Sequence, residues 1–178
     1  MTQKKSTLRN QPPKRRYGAG IAVFIMVIVI SFAGWLIWQS GQRKPSGPMF
    51  IKEGVLQFTA TQGGNALQEI DIEIADDELS RERGLMWRKS MEEGQGMLFI
   101  MDEEEMLAFW MLNTYIPLDL IFVDSGFKIV TIRKNAVPQQ LDRIPSSQPA
   151  LYVVEVNAGF CDKFGIREGH YIAFERLK

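Results

Sequence analysis

The sequence predicts a mainly β domain, a single small β-sandwich or partly open barrel with two short helices, preceded by one transmembrane helix. Three observations carry that reading. Apolar and polar residues alternate with period two through most of the region after residue 49, as half-buried strands require. A charge-free apolar run, residues 19–38, stands ahead of that region and is long enough for a bilayer core. The chain has 1 cysteine, so no internal disulfide is available and the fold rests on its core.

The N-terminal elements come first. Residues 1–18 form a basic arm with Lys4, Lys5, Arg9, Lys14, Arg15 and Arg16, and the first acid of the chain is Glu53. The run 19–38 (AGIAVFIMVIVISFAGWLIW) spans roughly 30 Å as a helix, satisfies its own backbone groups in lipid, and ends at Trp35 and Trp38 where an interfacial belt would lie. Six bases precede the run and Arg43 and Lys44 follow it closely. The positive-inside tendency therefore predicts a cytoplasmic N-terminus, an inner (cytoplasmic) membrane location and a periplasmic or otherwise extracytoplasmic C-terminal domain. The competing reading is a signal peptide cut after Ser31-Phe32-Ala33, but the apolar stretch continues through Trp38. Residues 39–48 (QSGQRKPSGP) read as a flexible linker reaching roughly 15–25 Å.

Residues 49–178 suit one domain. Val55–Ala60 and Ile70–Ile74 alternate as strands. A short helix runs to Arg83, with Asp76 or Asp77 as its cap and Gly84 as its stop. Met97–Met101 and Leu107–Leu112 read as strands, with the acidic run Asp102–Glu105 as a solvated loop between them. Leu118–Val123 and Phe127–Ile132 flank Asp124-Ser125-Gly126, a hairpin signal. Leu151–Val156 is a buried strand, Asn157 caps a second helix reaching Phe164, Gly165 stops it, and Tyr171–Phe174 closes the chain.

Several chemistries are thinly represented. With 1 cysteine and 1 histidine (Cys161 and His170) a Cys/His zinc site lacks ligands, and no G-x-S-x-G elbow or glycine-rich phosphate loop occurs. Neither a cofactor nor a metal centre is expected, and no catalytic residue is assigned. The chain carries 21 acids and 21 bases. Eight of those bases lie before residue 49, so residues 49–178 have 13 bases against 21 acids, a net charge of −8 that argues against nucleic acid as a partner. Met86, Met91, Met97, Met101, Met106 and Met111 raise the alternative of a Cu(I) site, although methionine also fills gaps in cores.

The block Gly84-Leu85-Met86-Trp87-Arg88-Lys89-Ser90-Met91, then Gly96–Phe99, then Phe109-Trp110-Met111-Leu112-Asn113-Thr114 with Ile116–Asp124, resembles the DUF192 (UPF0127) family. Glu155–Gly159 and Gly165-Ile166 agree with it, and the resemblance covers residues 55–176. It implies a small, mainly β, often exported domain, and a family without an established activity. Two departures stand out. The family pattern usually has Lys where this chain has Leu112, and Gly-Asp where it has Gly169-His170.

Asp119 sits in an otherwise apolar strand and needs a cation or several hydrogen bonds, with Arg83 and Arg88 as candidate partners. Arg88, Trp110, Asn113, Thr114 and Asp119 are the candidate ligand-binding residues. The expected function is a membrane-tethered extracytoplasmic accessory domain that binds a small polar ligand or an envelope partner. The alternative is an envelope hydrolase using Asp119 with Arg88 or His170.

Overall fold

The computed structural model describes residues 47–177 and Phe32; the basic arm, the run 19–38 apart from that one residue, and most of the linker lie outside the described residues. Within the described residues 47–177 nine strands and two short helices follow: β1 Gly54–Thr59, β2 Ala66–Ala75, α1 Glu78–Arg83, β3 Gln95–Glu105, β4 Ala108–Phe109, β5 Leu118–Val123, β6 Ile129–Ala136, β7 Ile144–Pro145, β8 Ala150–Asn157, α2 Phe160–Phe164 and β9 Tyr171–Arg176. Among the described residues no helix is long and apolar enough to cross a membrane.

Seven strands form one sheet in the order β6-β5-β8-β3-β2-β1-β9, and β4 pairs with β7 beside it. Every pairing in the large sheet is antiparallel except β2 with β3. That parallel pair needs a crossover, which α1 and the following loop supply. The two edge strands come back together: the amide of Ile129 donates to the carbonyl of His170 at 2.7 Å, and that of Ile172 to Phe127 at 2.9 Å. Lys128 bridges Tyr171 at this seam. The sheet is thus a barrel closed along only a short seam, which removes most of the exposed edge.

Alternation divides the core in two. Leu56, Phe58, Ile70, Ile72, Leu98, Ile121, Val154 and Ile172 pack on one face of the sheet, joined there by Phe160 and Cys161 of α2. Met97, Phe99, Leu118, Leu120, Phe122 and Val153 pack on the other, under Leu85, Leu107 and Met111. β5 is buried along its whole length because both layers cover it, so its side chains face core on both sides of the sheet.

The helices and turns follow local chemistry. The Asp77 carboxylate accepts from the amides of Leu79 and Ser80, and the Asp77 amide in turn donates to the Ser80 hydroxyl. Gly84 ends α1 at φ +43, where a side chain is strained and an added Cβ would press on the Phe99 ring at 3.0 Å. Asp124 Oδ1 accepts from Gly126 and Lys128 and tightens the β5–β6 hairpin.

Three expectations need correction. The acidic run is not a loop, since β3 continues through Glu105 and Arg81 holds Asp102 with two bonds. Of Leu107–Leu112 only Ala108–Phe109 is strand; the residues after it turn back, with the amide of Met111 bonded to Gln140 and that of Thr114 to Met111. Asn157 does not cap α2. Gly159 takes the N-cap position with no side-chain bond, while the Asn157 amide group donates to the carbonyls of Met91 and Glu92 and holds the loop after α1.

Candidate functional site

The two sequence blocks at 84–91 and 109–114 meet in space. The Trp87 amide donates to the Asn113 carbonyl at 2.7 Å, and Asn113 Nδ2 lies 3.9 Å from Met86 Sδ. Both hinge residues hold left-handed backbone, Trp87 at φ 61 and Asn113 at φ 54. Asparagine tolerates that region, but a bulky indole in it stores strain that the surrounding bonds must hold. The outcome is an indole 47% exposed at the lip of a cleft.

Phe109 anchors the second block, edge-on to Phe99 and Phe122 with centroids at 5.0 and 6.0 Å. Gln139 donates to the Thr114 carbonyl and braces the turn from outside. Between the blocks lies a cavity of about 30 Å³ that reaches Glu155 of β8 and is lined by Arg83, Met86, Trp110, Leu112 and Thr114 among others. It shares Glu82, Arg83 and Met86 with a wider cleft of about 520 Å³ bounded by Asp77, Leu79, Ser80 and Trp87. That volume falls in the range of small-molecule sites.

Three carboxyl side chains are buried among the described residues, Glu73, Asp119 and Glu155, and their surroundings differ. Glu73 is paired with Arg88 and also accepts from the Ile51 amide. The Phe50 ring lies 6.0 Å from the Arg88 guanidinium, whose Nε finds no partner among the described residues. Asp119, fully buried, accepts from the amides of Asn135 at 2.9 Å and Cys161 at 3.0 Å. Burial, with the Asp119 charge adding to it, pushes the Cys161 thiol up, so it is an inert core thiol.

Glu155 differs from both. It is 4% exposed, no ion pair holds it among the described residues, and burial pushes its carboxyl up to about 8 from an ordinary 4.5. Strand register explains its setting. Glu73, Met97, Glu155 and Leu120 form one row across β2, β3, β8 and β5. Met97 stands between Glu155 and the Glu73–Arg88 pair, so the nearest buried cation is already engaged one strand further on.

The predicted site residues divide accordingly. Trp110 and Thr114 line the cavity, and Asn113 fixes its lip through Trp87 and Met86. Arg88 belongs to the Glu73 pair. Asp119 packs on the opposite face of the sheet with Ile121, so neither Arg83 nor Arg88 is its partner; two backbone amides take that role. The expected Asp119–Arg pairing is therefore corrected. His170 lies at the barrel seam, its Nδ1 buried without a hydrogen-bond partner among the described residues. Met86, Met97 and Met111 are core residues, and Met106 is exposed. The sequence reading missed Glu155, Trp87 and Arg83 as site residues. Glu155 carried the same signal as Asp119, a carboxylate inside an apolar strand (LYVVEVN).

The DUF192 profile, described as "Uncharacterized ACR, COG1430", matches residues 58–174, which include both blocks and Glu155. Solved structures are similar too, among them the following two. One is a candidate transcription regulator from Sinorhizobium meliloti 1021, at 36% identity and TM-score 0.65, covering 72% of this chain and 98% of its own. The other is a protein of unknown function from Novosphingobium aromaticivorans DSM 12444, at 33% identity and TM-score 0.62, covering 67% of this chain and 83% of its own. No curated protein matches.

Proposed function

We propose, from the premise that the chain belongs to the DUF192 family, that it is a membrane-tethered binding domain whose cleft beside α1 takes a small ligand. The observation that carries the reading is Glu155. A buried carboxyl without a partner is costly, and folds seldom keep one in the core when an apolar residue would pack there. Here it lines a cavity that adjoins a cleft bounded by a strained, half-exposed tryptophan. Strain and unmet hydrogen-bonding capacity at one place are the marks of a site prepared for something else to bind.

Tethering rests on the charge-free run 19–38 and the six bases ahead of it, and places the domain on the extracytoplasmic side. An active C-terminal alkaline phosphatase fusion supports that topology, and an inactive one with an active cytoplasmic reporter overturns it. Confinement to the membrane raises the local concentration of the domain without new contacts. The hydrolase alternative loses its central residue, because Asp119 is sealed inside the barrel with both oxygens bonded to backbone.

The binding reading is tested by thermal unfolding of the full-length protein against a panel of small acids, amides, alcohols and sugars. At least one class should raise the melting temperature, and Trp87→Ala should abolish the shift without lowering the unliganded melting temperature. A panel that shifts nothing, or shifts wild type and Trp87→Ala alike, overturns the cleft as the site.

A further inference from the structure

The inner cavity and the outer cleft differ in chemistry, and together they specify a ligand class. The inner cavity of about 30 Å³ has room for roughly two water-sized atoms. Glu155 lines it from β8. Arg83, an exposed residue, lines both the cavity and the cleft, and its guanidinium has no ion pair or hydrogen bond among the described residues. The other α1 cation at the cavity, Arg81, is already spent on Asp102 and the carbonyls of Asp76 and Ile100. Beyond Arg83 the cleft is largely apolar, with Leu79 73% exposed, Trp87 half exposed and Met86 beneath them.

We propose that the ligand is a small carboxylate with an apolar body, its two oxygens seated against Glu155 and Arg83 and its chain against Leu79, Met86 and Trp87. This rests on the cleft being the binding site. A protonated carboxyl donates one hydrogen bond, and a guanidinium donates to carboxylate oxygens in its fork geometry. A neutral amide or alcohol would leave Arg83 without its charge partner.

Leu112 sharpens the point. It lines the same cavity as Glu155, at the position where the family pattern usually has lysine. A lysine there would set a cation beside Glu155; leucine leaves the carboxyl bare and the place for a ligand's oxygens free.

Proton linkage follows. The charged groups facing Glu155 are Arg81, Glu82 and Arg83 from α1. The residues lining the cavity from β3 and the 109–114 turn carry none, and the Glu73–Arg88 pair stands two strands away in the same row. Between about pH 7 and pH 9 an aliphatic carboxylate stays ionised while Glu155 loses its proton, so affinity falls about tenfold as two anions are brought together.

The test is calorimetric titration of hexanoate, hexanamide and 1-hexanol into the full-length protein at both pH values. Hexanoate should bind at least tenfold more tightly than the other two at pH 7 and weaken about tenfold at pH 9. Glu155→Gln, which keeps a neutral donor, should bind hexanoate at both pH values with less than twofold difference. Arg83→Ala should lose the preference for hexanoate over hexanamide. If hexanamide or 1-hexanol binds wild type as well as hexanoate does, the carboxylate assignment is overturned and the cleft stands. If none of the three binds while another panel class raises the melting temperature, the assignment is likewise overturned. If no compound of either set binds, the cleft reading fails with it. A hexanoate affinity unchanged between the two pH values in wild type, or a Glu155→Gln profile as steep as wild type, overturns the role of Glu155.

Discussion

Replacing Glu155 by glutamine should make the protein more stable at neutral pH, and the size of the gain follows from burial. In the folded chain the carboxyl ionises at about 8, whereas an ordinary glutamate ionises at 4.5. The folded state therefore holds a proton that the unfolded state releases between those values. Because the folded state binds more protons there, stability falls as pH rises from about 4.5 and levels off above about 8. The gap amounts to about 5 kcal/mol when complete, and about 4 kcal/mol at pH 7.5, as an upper bound. Glutamine keeps the shape and never ionises, so Glu155→Gln should remove that slope. Chemical denaturation of the two proteins at pH 4.5, 6 and 7.5 is the assay. The curves should coincide at pH 4.5 and separate by a few kcal/mol at pH 7.5, on the order of 10 °C in melting temperature. Equal stability at all three pH values would refute the claim that Glu155 is desolvated without a partner.

Leu112→Lys should act in the same direction by another route, supplying a cation to the cavity, flattening the pH dependence and abolishing hexanoate binding; denaturation and calorimetry read both effects. Arg88→Ala leaves Glu73 buried without its cation and should cost about 3–5 kcal/mol, with Glu73→Gln in the same chain recovering part of the loss. Asp119→Ala orphans the buried Cys161 amide and removes the acceptor of the part-buried Asn135 amide, and should cost about 1–3 kcal/mol; an Asp119→Ala protein of wild-type stability would contradict its structural role.

Much of the fold was written locally. Strand alternation, the Asp77 cap, the Gly84 and Gly165 stops and the Asp124-Ser125-Gly126 hairpin all depend on residues within a few positions of one another, and each appears where the pattern placed it. The failures required distant information. Leu107–Leu112 has a strand's composition, but the Phe109 ring is anchored between Phe99 and Phe122 and the chain turns back after it. Asn157 looks like a cap until the loop at Met91–Glu92 arrives to take its amide group. Asp119 correctly signalled a buried carboxylate, but its partners are amides of Asn135 and Cys161, which no spacing rule pairs with it. The site was legible in half. Trp110, Asn113 and Thr114 lie in the motif and at the cleft, whereas Glu155 carried only the bare signal of an acid in an apolar strand, and register is what sets it beside Met97 and off the Glu73–Arg88 pair.

The most direct measurement is the ionisation of Glu155 itself, followed by the Cδ chemical shift of the full-length protein labelled with carbon-13 at glutamate and assigned through Glu155→Gln. A midpoint near pH 8 is the expected result. A midpoint near 4.5 would mean that water or a cation reaches the carboxyl, and the account of this cleft as a prepared, partnerless site would be contradicted.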